Sequence, residues 1–223
     1  MRMLRFTLPD GTEAETPVHT LLNAGYAGRS QDDVAAHVKE LAELGVPAPK
    51  VTPALYPVAP YLAMQTDSVP AQHARTSGEA EWALVVTPSD VLLTAACDHT
   101  DRALEVHGVA WSKNAGPDVL ARRAWRLSDV AGRLDTLRLT AHVDGALLQD
   151  GTLAELLAPA YWLEELRARG LATPGTVLLS GTIPMDPAVD QFGTHWQVTL
   201  TDPETDAVID LAYDVRLLPE PTE

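Results

Sequence analysis

Three carboxylates in the first half of the chain have the spacing of a metal site. Glu79 and Glu81 are separated by one residue, so in an extended strand both side chains project from the same face. The Val/Leu-rich run after Glu81 predicts a buried strand, residues 87–90 a turn and residues 91–96 a returning strand. This hairpin would bring Asp98 beside the glutamates, where three carboxylates could hold one divalent cation.

A second interpretation of the same residues stays open. Alternating acids are typical of the solvated face of an antiparallel sheet, and oxygen-ligand sites have no fixed sequence spacing. A helix over residues 98–113 would place Asp98, Arg102, Glu105 and Lys113 within an arc of about 80°. That charged stripe either covers plain surface or lines a cleft beside the acidic hairpin.

Composition limits the classes of partner. The 223 residues carry 16 Lys and Arg against 31 Asp and Glu, a formal charge of −15 that opposes binding to nucleic acid and to anionic membranes. Cys97 is the only cysteine, which excludes an internal disulfide and thiolate zinc sites. The chain shows neither a signal-peptide core nor an apolar run of membrane-spanning length. We expect a soluble, cytoplasmic protein.

Turn and helix signals indicate how the first third is organised. Residues 3–18 predict a hairpin that turns at Asp10-Gly11. Ser30 is a candidate N-cap for a helix that ends near Gly45, and the recurring prolines from position 47 to 70 predict an extended segment that could form a lid.

The remainder alternates irregularly and ends in β-structure. Turns are predicted at Asp144-Gly145 and Asp150-Gly151. The other predicted elements are a short helix at residues 128–137, an amphipathic helix at 152–169, and strands at 137–142, 176–180, 195–201 and 208–217.

Several motifs occur in an order that resembles the fumarylacetoacetate hydrolase superfamily. They are the paired glutamates, the Asp98-x-x-x-Arg102 step, the downstream Trp111 and Lys113, and the Gly-Thr-Ile-Pro stretch at 181–184. The resemblance spans residues 26–217 and is greatest to a compact bacterial subfamily of unassigned activity.

The resemblance implies a fold and an assembly. The expected class is α+β, a mixed β-roll with flanking helices. Residues 1–25 would form an N-terminal β element, residues 26–223 a fumarylacetoacetate-hydrolase-like domain, and residues 30–75 approximately a lid. Relatives of this kind are usually homodimers.

The resemblance also implies the site. Glu79, Glu81 and Asp98 match the ligands of a Mg²⁺ or Mn²⁺ ion. The substrate-binding positions are Arg102, Glu105 and Thr182, with Glu105 standing where the superfamily commonly has glutamine. The catalytic positions are Lys113, the base His37 and its orienting partner Glu40, which adjoin on a helix because they are three residues apart.

The implied activity is a divalent-metal-dependent hydrolase that cleaves a C–C bond of a small oxo-acid, of the acylpyruvate or β-diketo acid type. Decarboxylation, hydration and tautomerisation use the same chemistry and remain alternatives. Two interpretations that do not involve catalysis also stay open. The protein could be a non-catalytic metabolite-binding protein or a purely structural dimerising module.

Overall fold

The computed structural model describes residues 2–43, 45, 46, 48–220 and 222, without the side chains of residues 31, 33, 37, 40 and 41. Its strands are β1 (Met3–Thr7), β2 (Glu13–Pro17), β3 (Thr20–Gly25), β4 (Ala54–Val58), β5 (Ala63–Met64), β6 (Ser68–Ala71), β7 (Thr76–Val86), β8 (Val91–Asp101), β9 (Asp118–Leu120), β10 (Trp125–Arg126), β11 (Arg138–Val143), β12 (Ala146–Thr152), β13 (Thr176–Leu179), β14 (His195–Asp202) and β15 (Ala207–Leu217). The helices are α1 (Gln31–Glu43), α2 (Arg102–Glu105), α3 (Val109–Lys113), α4 (Leu127–Val130) and α5 (Pro159–Ala168), with 3-10 turns at Pro60–Leu62, Ala131–Thr136 and Leu153–Glu155.

Two large mixed sheets form the body of the protein. The eight-stranded sheet has the order β4-β3-β13-β7-β8-β9-β5, with β10 paired to β8, and the five-stranded sheet has the order β12-β11-β14-β15-β6. Most neighbours are antiparallel, whereas β13–β3, β5–β9 and β15–β6 are parallel. This arrangement confirms the predicted α+β class with a mixed β-roll.

The central hairpin β7–β8 is buried on both faces, and its pleat separates two cores. Trp82 and Leu84 point into the core shared with the five-stranded sheet. Ala83 and Val85 point to the other face, where they pack with Leu4 and other residues of the β1–β2 hairpin and its surroundings. Because side chains alternate along a strand, Glu79 and Glu81 lie on this second face with Ala83.

Two predicted turns have different outcomes. Asp144-Gly145 joins β11 to β12 with positive φ at both residues, 47° and 84°, as a two-residue hairpin turn requires. The prediction for Asp150-Gly151 was wrong. Both residues lie inside β12, where they pair with β11, and Asp150 accepts two hydrogen bonds from Arg138 at 2.7 and 2.6 Å.

The predicted helix over residues 98–113 was also wrong. The ladder between β7 and β8 continues to the pair Thr76–Asp101, so Asp98 belongs to a strand. Asp101 then caps α2 by accepting the Ala103 and Leu104 backbone N–H groups at 3.0 and 3.1 Å. Residues 106–108 separate α2 from α3.

The predicted helix over residues 152–169 begins too early. Thr152 and Glu155 form a capping box around a 3-10 turn, and α5 starts only at Pro159. Proline is well suited to the first helical position because it lacks an N–H group to donate. The helix predicted after Ser30 is confirmed as α1.

The proline-rich segment contains sheet structure. β4 pairs with β3, β5 with β9, and β6 with β15. The lid over about residues 30–75 remains a prediction. No helix in the described part of the chain combines the length and the apolar character needed to cross a membrane.

His99 is a structural histidine in the core between the sheets. It is 2% exposed, and its ring nitrogens lie 3.0 Å from the Tyr213 and Thr76 hydroxyl oxygens. Burial, helped by the positive charge of Arg102, lowers the pKa of His99 to about 4.

This pKa predicts a pH dependence of stability. Between pH 6.5 and 4 the unfolded chain binds a proton at His99 that the folded chain rejects, so stability falls as pH falls through this window. At pH 5 the loss is about 2 kcal/mol relative to pH 7. Urea unfolding of wild type and His99→Gln at both pH values isolates the effect, because other groups titrate in both proteins. An equal loss in the two proteins would contradict the assignment.

Candidate metal centre

The register of β7 and β8 brings the predicted ligands together. Glu79 is the direct cross-strand partner of Asp98, and Glu81 lies two residues further along the same face of β7. Carboxylate oxygens from all three residues lie within 4.8 Å of one another. Asp98 and Glu81 are fully buried, and the Glu79 side chain is 14% exposed. The hairpin thus supplies the cluster without the helix that the sequence predicted.

Glu81 has one satisfied and one unsatisfied oxygen. Its Oε2 accepts the Gly181 backbone N–H at 2.7 Å, whereas its buried Oε1 has no hydrogen-bond partner among the described residues. Buried polar atoms are nearly always satisfied, so an orphaned carboxylate oxygen needs an explanation. A proton or a cation would satisfy it.

Lys113 is the cation closest to the cluster. It ends α3, and its ammonium donates to Asp98 Oδ2 and, at 3.2 Å, to Glu79 Oε2. Burial favours the neutral amine, but the charges of Asp98 and Glu79 outweigh it and raise the pKa of Lys113 well above its usual value. The ammonium therefore stays charged and contacts two of the three carboxylates.

Arg102 is the second cation, and its guanidinium is almost fully engaged. It donates to Glu79 Oε1 at 2.9 Å, to Ser77 Oγ at 2.7 Å, and to both oxygens of Glu105 at 3.1 and 3.2 Å. Arg102 and Glu105 each keep 14% side-chain exposure, so the pair lies at the rim of the site. Three residues of the predicted charged stripe thus pair with one another or with the carboxylate cluster.

The two glutamates have opposite pKa shifts. Burial opposes ionisation of Glu79, but Lys113 and Arg102 together outweigh it and hold its pKa at about 2. Burial dominates at Glu81 and, with the neighbouring Asp98 charge, raises its pKa well above the usual value despite Lys113. The site thus contains a permanently ionised carboxylate beside one that resists ionisation.

Two residues of this sheet face were not predicted. Asp118 in β9 is the cross-strand neighbour of Asp98, and it is fully buried with its Oδ1 accepting from Asn23 Nδ2 at 3.0 Å. Burial and the Asp98 charge raise the pKa of Asp118. Asn23 carried a signal, because it is a lone amide in an apolar strand. Asp118 carried none, because its position depends on the pairing of a three-residue strand.

Thr182 is next to the cluster because its chain neighbour Gly181 and its hydrogen-bond partner Ala80 both adjoin Glu81. Its hydroxyl donates to the Ala80 carbonyl at 2.9 Å and accepts from Gln149 Nε2 at 2.7 Å. Gln149 also accepts the Ala80 backbone N–H at 2.9 Å. These contacts fix the loop that presents the Gly181 N–H to Glu81. A substrate contact of Thr182 remains a prediction.

The predicted base and its partner are not tested by this geometry. The backbone of His37 and Glu40 lies in α1, so the two positions are one helical turn apart, but their side chains lie outside the described residues. Two tyrosines interact electrostatically with the charged residues of the site. Burial raises the pKa of Tyr26 to about 12 and also raises that of Tyr56, and Lys113 and Glu105 act on both.

The residues present fit a divalent cation. Hard oxygen donors are the ligands that Mg²⁺ and Mn²⁺ prefer, and the three carboxylates converge within bonding reach of a single ion. The orphaned Glu81 Oε1 is the second observation that agrees with a missing positive charge.

Comparison with family models identifies the family to which the chain belongs. The family model described as a protein of unknown function, DUF2848, matches residues 24–213, and the chain belongs to this family. Comparison with curated proteins gave no match.

Solved structures with the same fold include proteins described as fumarylacetoacetate hydrolases, which confirms the fold that the resemblance implied. A candidate fumarylacetoacetate isomerase/hydrolase from Oleispira antarctica has a TM-score of 0.64 at 19% identity, over 95% of this chain and 99% of that one. A Pseudomonas aeruginosa fumarylpyruvate hydrolase, in complex with Mn²⁺ and pyruvate, has a TM-score of 0.63 at 16% identity, over 97% and 96%. A 2-keto-3-deoxy-D-arabinonate dehydratase, with magnesium and 2,5-dioxopentanoate, has a TM-score of 0.63 at 17% identity, over 92% and 74%.

The position of Lys113 predicts competition between its ammonium and a metal ion. Lys113→Met removes the counter-charge of buried carboxylates, which should destabilise the metal-free protein by about 3–5 kcal/mol. Mn²⁺ should then raise the melting temperature of this variant by more than that of wild type, because binding to the native state stabilises it and no ammonium has to be displaced.

Thermal unfolding with and without Mn²⁺ checks this, with Lys50→Met, at an exposed lysine, as the matched control. A Mn²⁺ effect in Lys113→Met equal to or smaller than that in wild type would contradict the competition.

Proposed function

We propose that this protein is a divalent-metal-dependent hydrolase that cleaves a C–C bond of a small oxo-acid, of the acylpyruvate or β-diketo acid type. The observation that carries the proposal is the cluster of Glu79, Glu81 and Asp98 with two cationic side chains at its edge. The fold relatives support it, since one is a fumarylpyruvate hydrolase in complex with Mn²⁺ and pyruvate.

Glu79, Glu81 and Asp98 would hold the Mg²⁺ or Mn²⁺ ion. When bound, such an ion supplies Lewis-acid polarisation of the keto and enolate oxygens of the substrate.

Arg102 and Lys113 would bind the anionic end of the substrate and stabilise negative charge that develops during the reaction. Lys113 is buried and Arg102 is mostly buried beside the carboxylates, where charges act strongly because little water screens them. Arg102 carries its donors in a planar fork that matches a carboxylate. Thr182 would complete the substrate pocket from the loop above Glu81.

His37 would act as the general base and Glu40 would orient its ring. The imidazole takes a proton from water, the water oxygen bonds to the carbonyl carbon, and the adjacent C–C bond breaks. The electron pair of that bond passes to the departing fragment, which leaves as an enolate and takes up a proton.

Two observations keep second candidates in view. One fold relative is a dehydratase with magnesium, which favours hydration or dehydration at a similar site. The engagement of Arg102 by both Glu79 and Glu105 favours a non-catalytic metabolite-binding protein, because a substrate carboxylate has to displace a carboxylate already present.

A substrate screen separates these candidates. Purified, Mn²⁺-loaded protein is incubated with acylpyruvates, β-diketo acids, oxaloacetate and 2-keto-3-deoxy sugar acids, and products are identified by mass spectrometry. C–C cleavage of an acylpyruvate or β-diketo acid supports the proposal. Decarboxylation or dehydration alone, or ligand binding without turnover, assigns the corresponding alternative.

Glu81→Gln should remove metal binding and turnover together, because it deletes a charged oxygen ligand from the cluster. Calorimetric titration with Mn²⁺ and the rate of substrate loss measure the two effects. Glu164→Gln, at an exposed position on α5, is the matched control and should leave both unchanged. A fully active Glu81→Gln protein would refute the metal-dependent scheme.

His37→Gln should lower kcat by about 10²–10⁴-fold, the usual contribution of a general base, and should leave Mn²⁺ affinity unchanged. His107→Gln, at an exposed histidine, controls for the loss of an imidazole. If the two variants have the same kcat, His37 is not the base.

A further inference from the structure

A second concave site lies away from the carboxylate cluster, at the edge of the eight-stranded sheet. Its volume is about 270 Å³, and it is formed where β1 approaches β5 and the segment after β9. Three arginines line it, Arg2, Arg5 and Arg122, together with Gln65. None of its described lining residues is acidic.

This concentration of positive charge is unusual for the chain. The protein has a formal charge of −15, with 16 basic residues against 31 acidic ones. Seven of its thirteen arginines form an ion pair within the described part of the chain. Three guanidinium groups around one cavity produce a local field opposite in sign to that of the whole molecule.

Two of these arginines contact only neutral acceptors within the described part of the chain. Arg2 donates to the Tyr61 carbonyl at 3.3 Å and approaches the Met64 sulfur at 3.9 Å. Arg122 donates to the Gln65 carbonyl at 3.1 Å. Each guanidinium carries five N–H donors, so both retain donors that a ligand could use.

The third arginine has only a weak partner. Arg5 donates to Glu15 at 3.3 Å, and both side chains are largely exposed, at 74% and 63%. Ion pairs of this kind contribute little to stability, so a ligand anion can compete with Glu15 at low cost.

The floor of the site is held in place by Gln65. Its side-chain amide donates to the Arg5 carbonyl at 2.7 Å and to the Ala121 carbonyl at 2.9 Å, and it accepts the Arg5 backbone N–H at 3.0 Å. These bonds tie β1 to the chain immediately before Arg122. The backbone that carries two of the arginines is therefore fixed before any ligand binds, which reduces the ordering cost of binding.

We propose that this cavity binds a small multivalent oxyanion, such as a phosphate-bearing or tricarboxylate metabolite. Guanidinium groups bind phosphate and carboxylate oxygens through paired, charge-assisted hydrogen bonds, and three of them fit an anion of more than one charge. The site is separate from the proposed metal centre and does not depend on its activity.

Calorimetric titration of the full-length, metal-free protein with pyrophosphate and with citrate tests the proposal. Metal is removed with a chelator, the chelator is then removed by dialysis against metal-free buffer, and ionic strength is held constant with potassium chloride. Saturable binding at one site is expected. Tighter binding of pyrophosphate assigns a phosphate-bearing ligand, and tighter binding of citrate assigns a polycarboxylate.

Arg122→Gln should lower the affinity for the tighter-binding probe about tenfold, because it removes charge-assisted hydrogen bonds to the anion. The matched control is Arg123→Gln. Arg123 is the next residue in the chain and is also exposed, but it does not line the cavity. The control should change affinity by less than about twofold, because exposed charges outside contact distance are largely screened.

The proposal would be overturned if neither pyrophosphate nor citrate showed saturable binding. Equal weakening by Arg122→Gln and Arg123→Gln would also overturn it, since the effect would then be one of net charge. An Arg102→Gln background checks the location, because Arg102 is the residue proposed to bind anions at the carboxylate cluster. Binding that persists in this background lies outside the cluster, and binding that disappears refutes a separate site.

Discussion

The balance of charge on one buried sheet face is the constraint on which the rest of the site depends. Glu79, Glu81 and Asp98 lie where the β7–β8 pleat turns them away from the main core, and Asp118 adjoins them from β9. Uncompensated buried charges are costly, so each must be paired, protonated or bound to a cation. The structure uses two of these means, because Lys113 and Arg102 pair with Glu79 while Glu81 and Asp118 have raised pKa values.

The architecture explains how such a cluster is tolerated. β7 and β8 are eleven-residue strands that are hydrogen-bonded along their whole length and packed on both faces by apolar residues. The acids occupy only the end of this hairpin, where α2 and α3 supply the cations. The stability of the rest of the sheet thus holds acidic side chains in positions that would be unfavourable alone, which is the arrangement expected of a binding site.

The sequence predicted those parts of the site that depend on local pattern. The period of two along β7 placed Glu79 and Glu81 together, and the turn before Val91 brought back Asp98. It failed where tertiary pairing overrides local preference. β8 runs five residues beyond the predicted end at position 96, because β7 is long enough to pair with it up to Asp101.

Other features could not be predicted because they have no local signal. Asp118 enters the site through a three-residue strand that pairs with β8, and nothing around Gly116 and Pro117 indicates a buried acid. The cavity lined by three arginines is formed by β1 and by residues about 60 and 120 positions further along the chain. Its arginines are therefore neighbours only in the folded protein. The roles of Arg102, Lys113, Thr182, His37 and Glu40 came from the family resemblance.

The central claim is that the three carboxylates hold one divalent cation, and a crystal structure of the protein grown with Mn²⁺ tests it most directly. Anomalous scattering locates the manganese without assumptions about the ligands. We expect one peak bonded to oxygens of Glu79, Glu81 and Asp98, with the Lys113 ammonium displaced from between Glu79 and Asp98. A cluster without manganese, with Lys113 still bridging those carboxylates at saturating Mn²⁺, would contradict it.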